Sequence, residues 1–571
     1  MNRNTELHFG QTPKINQKRS KFNRSCSNTT TFNAGDCVPL YVDSDILPGD
    51  TVQMDMAELV RMGTPIYPIM DNLYMDIYWF FVPHRLVWDH WQAFWGENDD
   101  PWTQTTEYEI PQIEAPNGGW TEGTIADYMG IPTKVSDISV NALPFRAYAK
   151  IWNDWFRDEN LKTNCHIYKD ETTRQGSNQG TYTTDVEKGG LPAKAAKFHG
   201  YFTGALPEPQ KGTPVSIPLG TTAPVYTNGN AGVMSIEENT NHAPISWIGT
   251  KRISNEWTTY ALSAPTTGNR RYNAGSYGTG PDYGHDNGIM YDSNDFSASA
   301  PWVYVTPSNL VADLNNATAA TINQLRTAFA IQKYYENAGL HGTRYIEYLK
   351  SVFGVTSSDA RLQRAEYLGG QRIPLNIDQI IQTSSTDNTS PQGNTAGFSC
   401  TINRDSMFTK SFEEHGTLMC IGVVRTDRTY QQGLSKMWTR KKWTDFYNPF
   451  FANLGEMAIL NENIYAQGTS TDKEAFGYQE AWAEYRYQEN KVTGYMRSNA
   501  TGSLDVWHFA DNYASLPQLS GTWIDEPTAN VDRTIAVTSQ LTHQFIGNFF
   551  FKTYYTRCMP VYSVPGLIDH V

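Results

Sequence analysis

The stretch Asn72-Leu73-Tyr74-Met75-Asp76-Ile77-Tyr78-Trp79-Phe80-Phe81-Val82, closed by Pro83, decides the fold class. β-branched and aromatic side chains crowd it, and both alternating sets of positions are largely apolar, so it reads as a strand covered on both faces. Pro83 cannot donate to a β-ladder and marks its end. β character returns at Thr417 to Arg425, Gly477 to Arg486, Leu504 to Phe509 and His543 to Arg557. Strands so widely separated, with helices and loops between them, suit a mainly β, two-sheet jelly roll with long inserted connections. No repeat of about 20 to 50 residues is visible, which excludes a propeller or solenoid.

Helical spacing interrupts the strands. Trp88, Trp91 and Trp95 recur at intervals of three and four over Asp89 to Trp95, and Pro144 to Leu161 carries Phe145, Tyr148, Trp152, Trp155 and Phe156 behind a proline suited to a helix start. Asn323 to Asn337, followed by Gly339, places Leu325, Ala328, Phe329 and Gln332 on one stripe, and Arg344 to Phe353 reads as a further helix. Between about Thr221 and Pro307 the composition turns to Gly, Asn, Ser, Thr and Tyr. A segment this long is a functional excursion or a disordered linker, and its many Tyr residues with possible strands at Val225, Ile245 to Trp247 and Trp302 to Val305 favour an ordered surface excursion. The chain therefore divides into a basic arm (1–35), a first β part with helices (36–220), the excursion (221–307) and a second β part (308–571).

Aromatic residues make up 13% of the 571 residues and charged residues only 18%, and the formal net charge is -14. Abundant rings with few charges favour extensive contact between copies, because interface cores are enriched in the former and depleted in the latter. Cys26, Cys37, Cys165, Cys400, Cys420 and Cys558 show no C-x-x-C pair or repeated spacing, so free thiols are expected rather than a zinc site or disulfide framework. No run of about eighteen apolar residues suggests a membrane span.

Against this acidic body the first 35 residues are basic. Arg3, Lys14, Lys18, Arg19, Lys21 and Arg24 face one acid, Glu6, before Asp36. A flexible cationic end on a body of opposite sign can reach a polyanion, and the arm is expected to order only against a partner. Trp438-Thr439-Arg440-Lys441-Lys442-Trp443-Thr444-Asp445-Phe446-Tyr447 is a second candidate, since cations flanking rings can stack on unpaired bases; those tryptophans equally suit core or subunit packing.

Catalytic patterns are weak. Gly275, Gly278 and Gly280 form no phosphate-binding loop, Glu413, Glu414 and His415 lack metal-ligand spacing, and no G-x-S-x-G occurs. Glu480, Trp482, Glu484, Tyr485 and Tyr487 could line a sugar cleft, but strand alternation would put Glu480, Trp482, Glu484 and Arg486 on one face. Neither a cofactor nor a metal site is expected.

Several blocks resemble one family. Pro65-Ile66-Tyr67-Pro68-Ile69-Met70-Asp71 running through the opening stretch to His84-Arg85-Leu86, then Trp88 and Trp91 to Glu97, are similar to the major capsid proteins of gokushoviruses, tailless single-stranded-DNA bacteriophages of the Microviridae. So are Leu143-Pro144-Phe145-Arg146-Ala147-Tyr148, Tyr201 to Pro207, His341-Gly342-Thr343-Arg344-Tyr345 and Tyr562 to Leu567. The family usually carries an acidic residue where this chain has Gly200.

The resemblance implies a viral eight-stranded antiparallel jelly roll, assembled through pentamers into a T=1 shell on the order of sixty copies. It also implies a circular single-stranded DNA genome, a small basic DNA-packaging protein, an internal scaffolding protein and a DNA pilot protein as partners, and assembly in the bacterial cytoplasm. The excursion would form threefold protrusions that meet a bacterial surface receptor, with Tyr272, Asn273, Tyr277 and Tyr283 as candidate contacts. Two other readings stand beside it: a carbohydrate-active β protein using Glu480 and Glu484, and a cytosolic single-strand-binding protein.

Overall fold

The computed structural model describes residues 18–97, 107–213, 215, 322–342, 344–386 and 391–562, together with the backbone of short strands between 225 and 312. The chain divides into two compact units, Met1–Gly212 with Tyr334–Val571, and Thr213–Lys333.

The first unit is built on nine strands: β1 (Ser20–Asn23), β2 (Cys26–Phe32), β3 (Val38–Ile46), β4 (Thr51–Met62), β5 (Leu73–Pro83), β6 (Glu366–Pro374), β7 (Thr401–Ser411), β8 (Gly416–Thr426) and β9 (Phe545–Arg557). β1 and β2 share one edge of β9, and the sheet continues to β4 and β7; the second sheet runs β6, β5, β8, β3. All these pairings are antiparallel. With β1 and β2 counted as one position there are eight, and chain neighbours alternate between sheets except β5 and β6, which pair with each other, in the order of a jelly roll.

Strand β5 lies at the centre of the second sheet, between β6 and β8, with both faces covered, as the opening stretch predicts. Leu73, Met75, Ile77, Trp79 and Phe81 enter the core between the sheets, where they meet Val52, Met54 and Met56 of β4 and Phe545, Phe549, Phe551 and Tyr555 of β9. Trp79 touches the rings of Tyr41, Phe408 and Phe551 at 5.5, 5.5 and 5.8 Å. On the opposite face Phe80 and Val82 join a second core with Trp88, Trp120, Phe145 and Tyr148.

That second core is roofed by α1 (Leu143–Ile151), with Pro144 in its first turn. The Tyr148 hydroxyl donates to the Cys37 carbonyl at 2.6 Å, fastening the helix to the start of β3. Beyond Ile151 the chain widens into a π-turn over Trp152–Phe156 and stops at Arg157, short of the expected end at Leu161. The expected helix near Trp91 is a single turn, Trp91–Phe94. α2 (Ile322–His341) passes through Gly339 and ends at Gly342, whose φ of +83° supplies the left-handed exit that favours glycine; one glycine inside a helix costs only about 1 kcal/mol and does not stop it. Phe329, placed on its apolar stripe by spacing, is exposed. α3 (Tyr345–Phe353) begins after Arg344, as the pattern predicts.

Two expected strands are corrected. Ala475–Gln479 is extended, but Glu480 to Arg486 turns through Trp482 at φ +65° into a 3-10 helix, Ala483–Tyr485, so the proposed shared face does not exist. Leu504 to Phe509 contains a 3-10 turn, Asp505–Trp507. Alternation over so few residues cannot separate a strand from a turn whose rings are buried by distant partners.

In the second unit Val225–Thr227 pairs antiparallel with Leu310–Ala312, bringing together the two ends of the excursion. Met234–Glu238 pairs with both Val303–Pro307 and Pro244–Ile245. Among the described residues no helix is long and apolar enough to cross a membrane.

Glu58 gives the sandwich a pH dependence. It sits on β4, almost fully buried, where Oε1 accepts from Asn403 at 2.6 Å and Gln371 at 2.7 Å, tying β7 and β6 to β4. Burial raises its carboxyl to about 7, against the pull of those two hydrogen bonds. The folded state therefore keeps a proton that the unfolded chain releases near 4.5, and stability falls as pH rises through that window. Glu58→Gln retains the accepting oxygen without a charge. The drop in Tm between about pH 5 and pH 8 is expected to become shallower in the variant, and an unchanged slope in calorimetry would contradict the assignment.

Candidate assembly and nucleic-acid surfaces

The basic N-terminal segment is not a loose arm from residue 18 onward. β1 pairs Lys21 with Thr556, β2 runs alongside Ile546 to Phe551, and Arg24 donates its backbone N–H to the Thr553 carbonyl at 3.0 Å. The partner that orders it is the chain's own last strand, because the edge of β9 offers unpaired backbone groups that a polar Ser/Thr/Asn strand can satisfy. Composition disguised this strand, since its stabilisation comes from the ladder and from Phe32 in the core rather than from its own apolar content.

Within this segment the cations divide. Arg24 pairs with buried Asp43 at 2.8 Å, and Asp43 also accepts from the Tyr555 hydroxyl at 2.6 Å, itself 3.1 Å from the Tyr41 hydroxyl. Burial first, then Tyr41 and Asp43, push the Tyr555 hydroxyl far above its ordinary range, so it remains a donor. Arg24 is therefore an anchor. Lys18, Arg19 and Lys21 are exposed; Arg19 reaches Thr51 and Thr556 at 3.1 and 3.2 Å, and the Lys21 ammonium lies 4.3 Å from the Tyr554 ring centre. Arg3, Lys14 and the excursion residues Tyr272, Asn273, Tyr277 and Tyr283 lie outside the described residues.

The second candidate region forms a ridge of two 3-10 turns, Lys436–Trp438 and Trp443–Asp445. Its tip is held by the Asp445 carboxylate, which accepts the backbone N–H groups of Lys441 and Lys442, both at 2.8 Å, and is kept below the usual carboxylate range by them. Trp438 and Trp443 are 70% and 71% exposed, and Phe450 is 94% exposed. Lys441 and Lys442 also face outward, whereas Arg440 does not belong with them. Its guanidinium bonds Glu484 at 3.3 Å and covers the Tyr485 ring at 4.4 Å, so its charge is compensated inside the protein.

The same contact disposes of the sugar-cleft reading. Glu484 is held between Arg440 and Lys436, and Glu480 pairs with Arg486 at 2.5 Å, so each carboxylate is already engaged by a cation. Glu414 is bonded by Arg85, and His415 stacks on Trp95 at 4.7 Å. All six cysteines are free thiols, and no cluster of three metal-ligating side chains occurs among the described residues.

Sequence reasoning missed a third surface. The outward face of the sheet β1/β2–β9–β4–β7 alternates with its buried core positions and carries Arg61, Arg404, Phe550, Lys552 and Tyr554. The signal was the period-two alternation of β9 itself, in which Phe550, Lys552 and Tyr554 share one side.

A two-sheet jelly roll bearing exposed aromatic and cationic surfaces has the architecture of a coat-forming structural protein. Comparison with known proteins agrees. Residues 11–567 match the family described as capsid protein (F protein). The chain is 42% identical over 553 residues to capsid protein VP1 of Spiroplasma virus 4, covering 96% of this chain and 95% of the relative. It is 42% identical over 566 residues to capsid protein VP1 of Bdellovibrio phage phiMH2K, covering 99% and 98%, and 38% identical over 591 residues to capsid protein VP1 of Chlamydia phage 1, covering 98% and 97%. The chain belongs to the capsid protein (F protein) family, as its resemblance to the Microviridae coat proteins implies. It is a non-enzymatic component of a bacteriophage virion that assembles with copies of itself into a shell.

The Asp43 network makes the docking of the basic segment testable. Tyr555→Phe removes one of the donors to a buried carboxylate, a loss of roughly 1–3 kcal/mol. We expect a lower Tm and faster proteolytic cleavage within residues 18–32; cleavage at the wild-type rate would show that the network does not hold the segment.

Proposed function

We propose that the chain is the subunit of a T=1 icosahedral shell on the order of sixty copies, built through pentamers, that encloses a circular single-stranded DNA genome and attaches to a bacterial host. The observation that supports this best is the family match along nearly the whole chain, joined to a cationic segment fastened to the sheet edge of a protein whose net charge is -14. Assembly in the host cytoplasm, threefold protrusions formed by residues 221–307, and receptor contact through Tyr272, Asn273, Tyr277 and Tyr283 belong to the same reading. Tyr and Asn suit such a tip because they combine large rigid contact area with adaptable hydrogen bonding.

Genome contact falls first to Arg3, Lys14, Lys18, Arg19 and Lys21, since Arg24 is committed to Asp43. Trp438, Lys441, Lys442 and Trp443 form the second contact, with Arg440 setting the ridge's shape rather than meeting phosphate. Charge balance then calls for help. Even with six basic residues and one acid per segment, about sixty copies bring on the order of 300 net positive charges, against one negative charge per nucleotide. A genome of some thousands of nucleotides needs further cations, which a small basic packaging protein, polyamines or metal ions would supply; an internal scaffolding protein and a DNA pilot protein complete the partners.

Negative-stain imaging of concentrated purified protein should show closed particles of uniform size, and persistence as monomers in every condition would overturn the shell reading. Replacing Arg3, Lys14, Lys18, Arg19 and Lys21 by Ala should flatten the log–log salt dependence of single-strand binding by about 3.5, from five contacts of roughly 0.7 each. An unchanged slope would remove this segment from genome contact.

A further inference from the structure

The outward face of the sheet β1/β2–β9–β4–β7 is exposed at Arg61, Arg404, Ile546 and Phe550, with Phe398 reaching Arg61 at one end. Successive cross-strand rows on it are fixed by register. Lys21 lies beside Thr556 and Thr51, Asn23 beside Tyr554 and Gln53, Lys552 beside Asp55 and Ser406, and Phe550 beside Ala57 and Arg404; at the far end Ile546 lies beside Arg61. Arg61, Arg404, Phe550 and Ile546 are exposed, and Lys552 and Tyr554 are half-buried among their neighbours.

From these rows we infer that this sheet face is a single-stranded DNA platform, on which Phe550 and Tyr554 stack bases while Lys21, Arg61, Arg404 and Lys552 meet phosphates. The inference rests on the genome-enclosing reading and names the surface that performs it.

Charge is the first argument. Arg61, Arg404, Lys21 and Lys552 make no ion pair with a carboxylate among the described residues, whereas Arg24, Arg85, Arg372, Arg425 and Arg428 elsewhere are paired. Arg61 and Lys552 lie against rings instead: Arg61 is 5.9 Å from the Phe398 ring centre, and Lys552 is 5.7 Å from that of Tyr554. The outward strand positions carry one carboxylate, Asp55, which already accepts the Ser406 hydroxyl at 2.8 Å. Four cations gathered on one face without ion-pair partners repel one another locally and make a positive patch on a protein of net charge -14, and a polyanion is the ligand that complements it.

Ring placement is the second argument. The ammonium groups of Lys21 and Lys552 lie over the Tyr554 ring, 4.3 and 5.7 Å from its centre, so a base that stacks there takes the place of an ammonium, which then meets the neighbouring phosphate. Phe550 follows on the same side of β9, four residues away and about 13 Å along the strand. A hydrogen-bonded sheet with rings and cations in alternating rows recognises stretched single strands without reading sequence, because every base offers a stacking face. A duplex presents no such faces.

Continuity is the third. β1 is the edge strand of this sheet, and the Arg19 side chain crosses its end to Thr51 and Thr556, so Arg19 extends the cationic rows of that face. The ridge at Trp438 and Trp443 is a separate tract on other elements.

The test begins with unaltered virions. Ultraviolet cross-linking followed by digestion and mass spectrometry should give DNA-modified peptides containing Phe550 and Tyr554. Cross-links confined to other peptides, the Trp438 ridge included, would overturn the inference while leaving genome enclosure intact. Particles that hold no DNA would instead overturn the enclosing reading and the platform with it. Separately, the variant carrying Lys21→Ala, Arg61→Ala, Arg404→Ala and Lys552→Ala should bind oligothymidylate of about 20 nucleotides with a log–log salt slope reduced by about 3, from four contacts at roughly 0.7 each. An unchanged slope refutes the phosphate role. If the variant fails to assemble, the face contacts a second copy only when the cross-links also miss it, and that combination refutes the platform.

Discussion

A strand apolar on both faces must be covered on both, and that requirement at β5 organises the molecule. One side of Leu73–Pro83 is closed by the facing sheet β1/β2–β9–β4–β7, whose Phe408 and Phe551 meet Trp79, and the other by α1 and the loops around Trp88 and Trp120. β5 also carries a carboxylate into its apolar surroundings. Asp76 is buried, and it is tolerated because Arg372 of β6 donates to it at 2.7 Å and Arg425 of β8 at 3.1 Å, while Phe198 lies between the two guanidiniums at 4.2 and 4.3 Å. Removing either arginine would leave a buried charge short of its partners, a larger penalty than the pair's net gain. The ion triad thus locks the register of three neighbouring strands.

The two sheets differ in what they leave uncovered. The β6–β5–β8–β3 sheet is roofed by the chain itself and is committed to stability. The sheet β1/β2–β9–β4–β7 has one buried face and one outward face, the usual arrangement for an antiparallel sheet. A shell needs this asymmetry, since a subunit must be rigid enough to repeat and still present surfaces to copies of itself and to its contents. Exposed Trp438, Trp443 and Phe450 on the ridge and Ile402 and Phe550 on the sheet are costly in an isolated molecule, and they make sense only in an assembly.

Long apolar strands were legible because their burial is written in their own composition. Leu73–Pro83, Gly416–Thr426 and Phe545–Arg557 each lie within a residue or two of their expected positions. Strands whose partners supply the stabilisation were not. Cys26–Phe32 is polar along most of its length and owes its order to the ladder with β9, while Glu480 to Arg486 looked extended until Trp482, Glu484 and Tyr485 were seen to be held by Phe451, Arg440 and Tyr447. Arg24 and Arg440 show the same limit among candidate site residues. Each stands in a basic run, and each is neutralised by an acid distant in sequence, Asp43 and Glu484.

Composition and periodicity by themselves determined the β class, the covered central strand, the cationic beginning and the absence of a catalytic pattern, because these depend on side-chain chemistry summed over neighbours in the chain. Tertiary structure alone decided which cations remain available and which face of β9 looks outward. Both depend on pairing between residues hundreds of positions apart, and a local pattern cannot specify that pairing: shifting a strand by one residue exchanges its buried side for its exposed one.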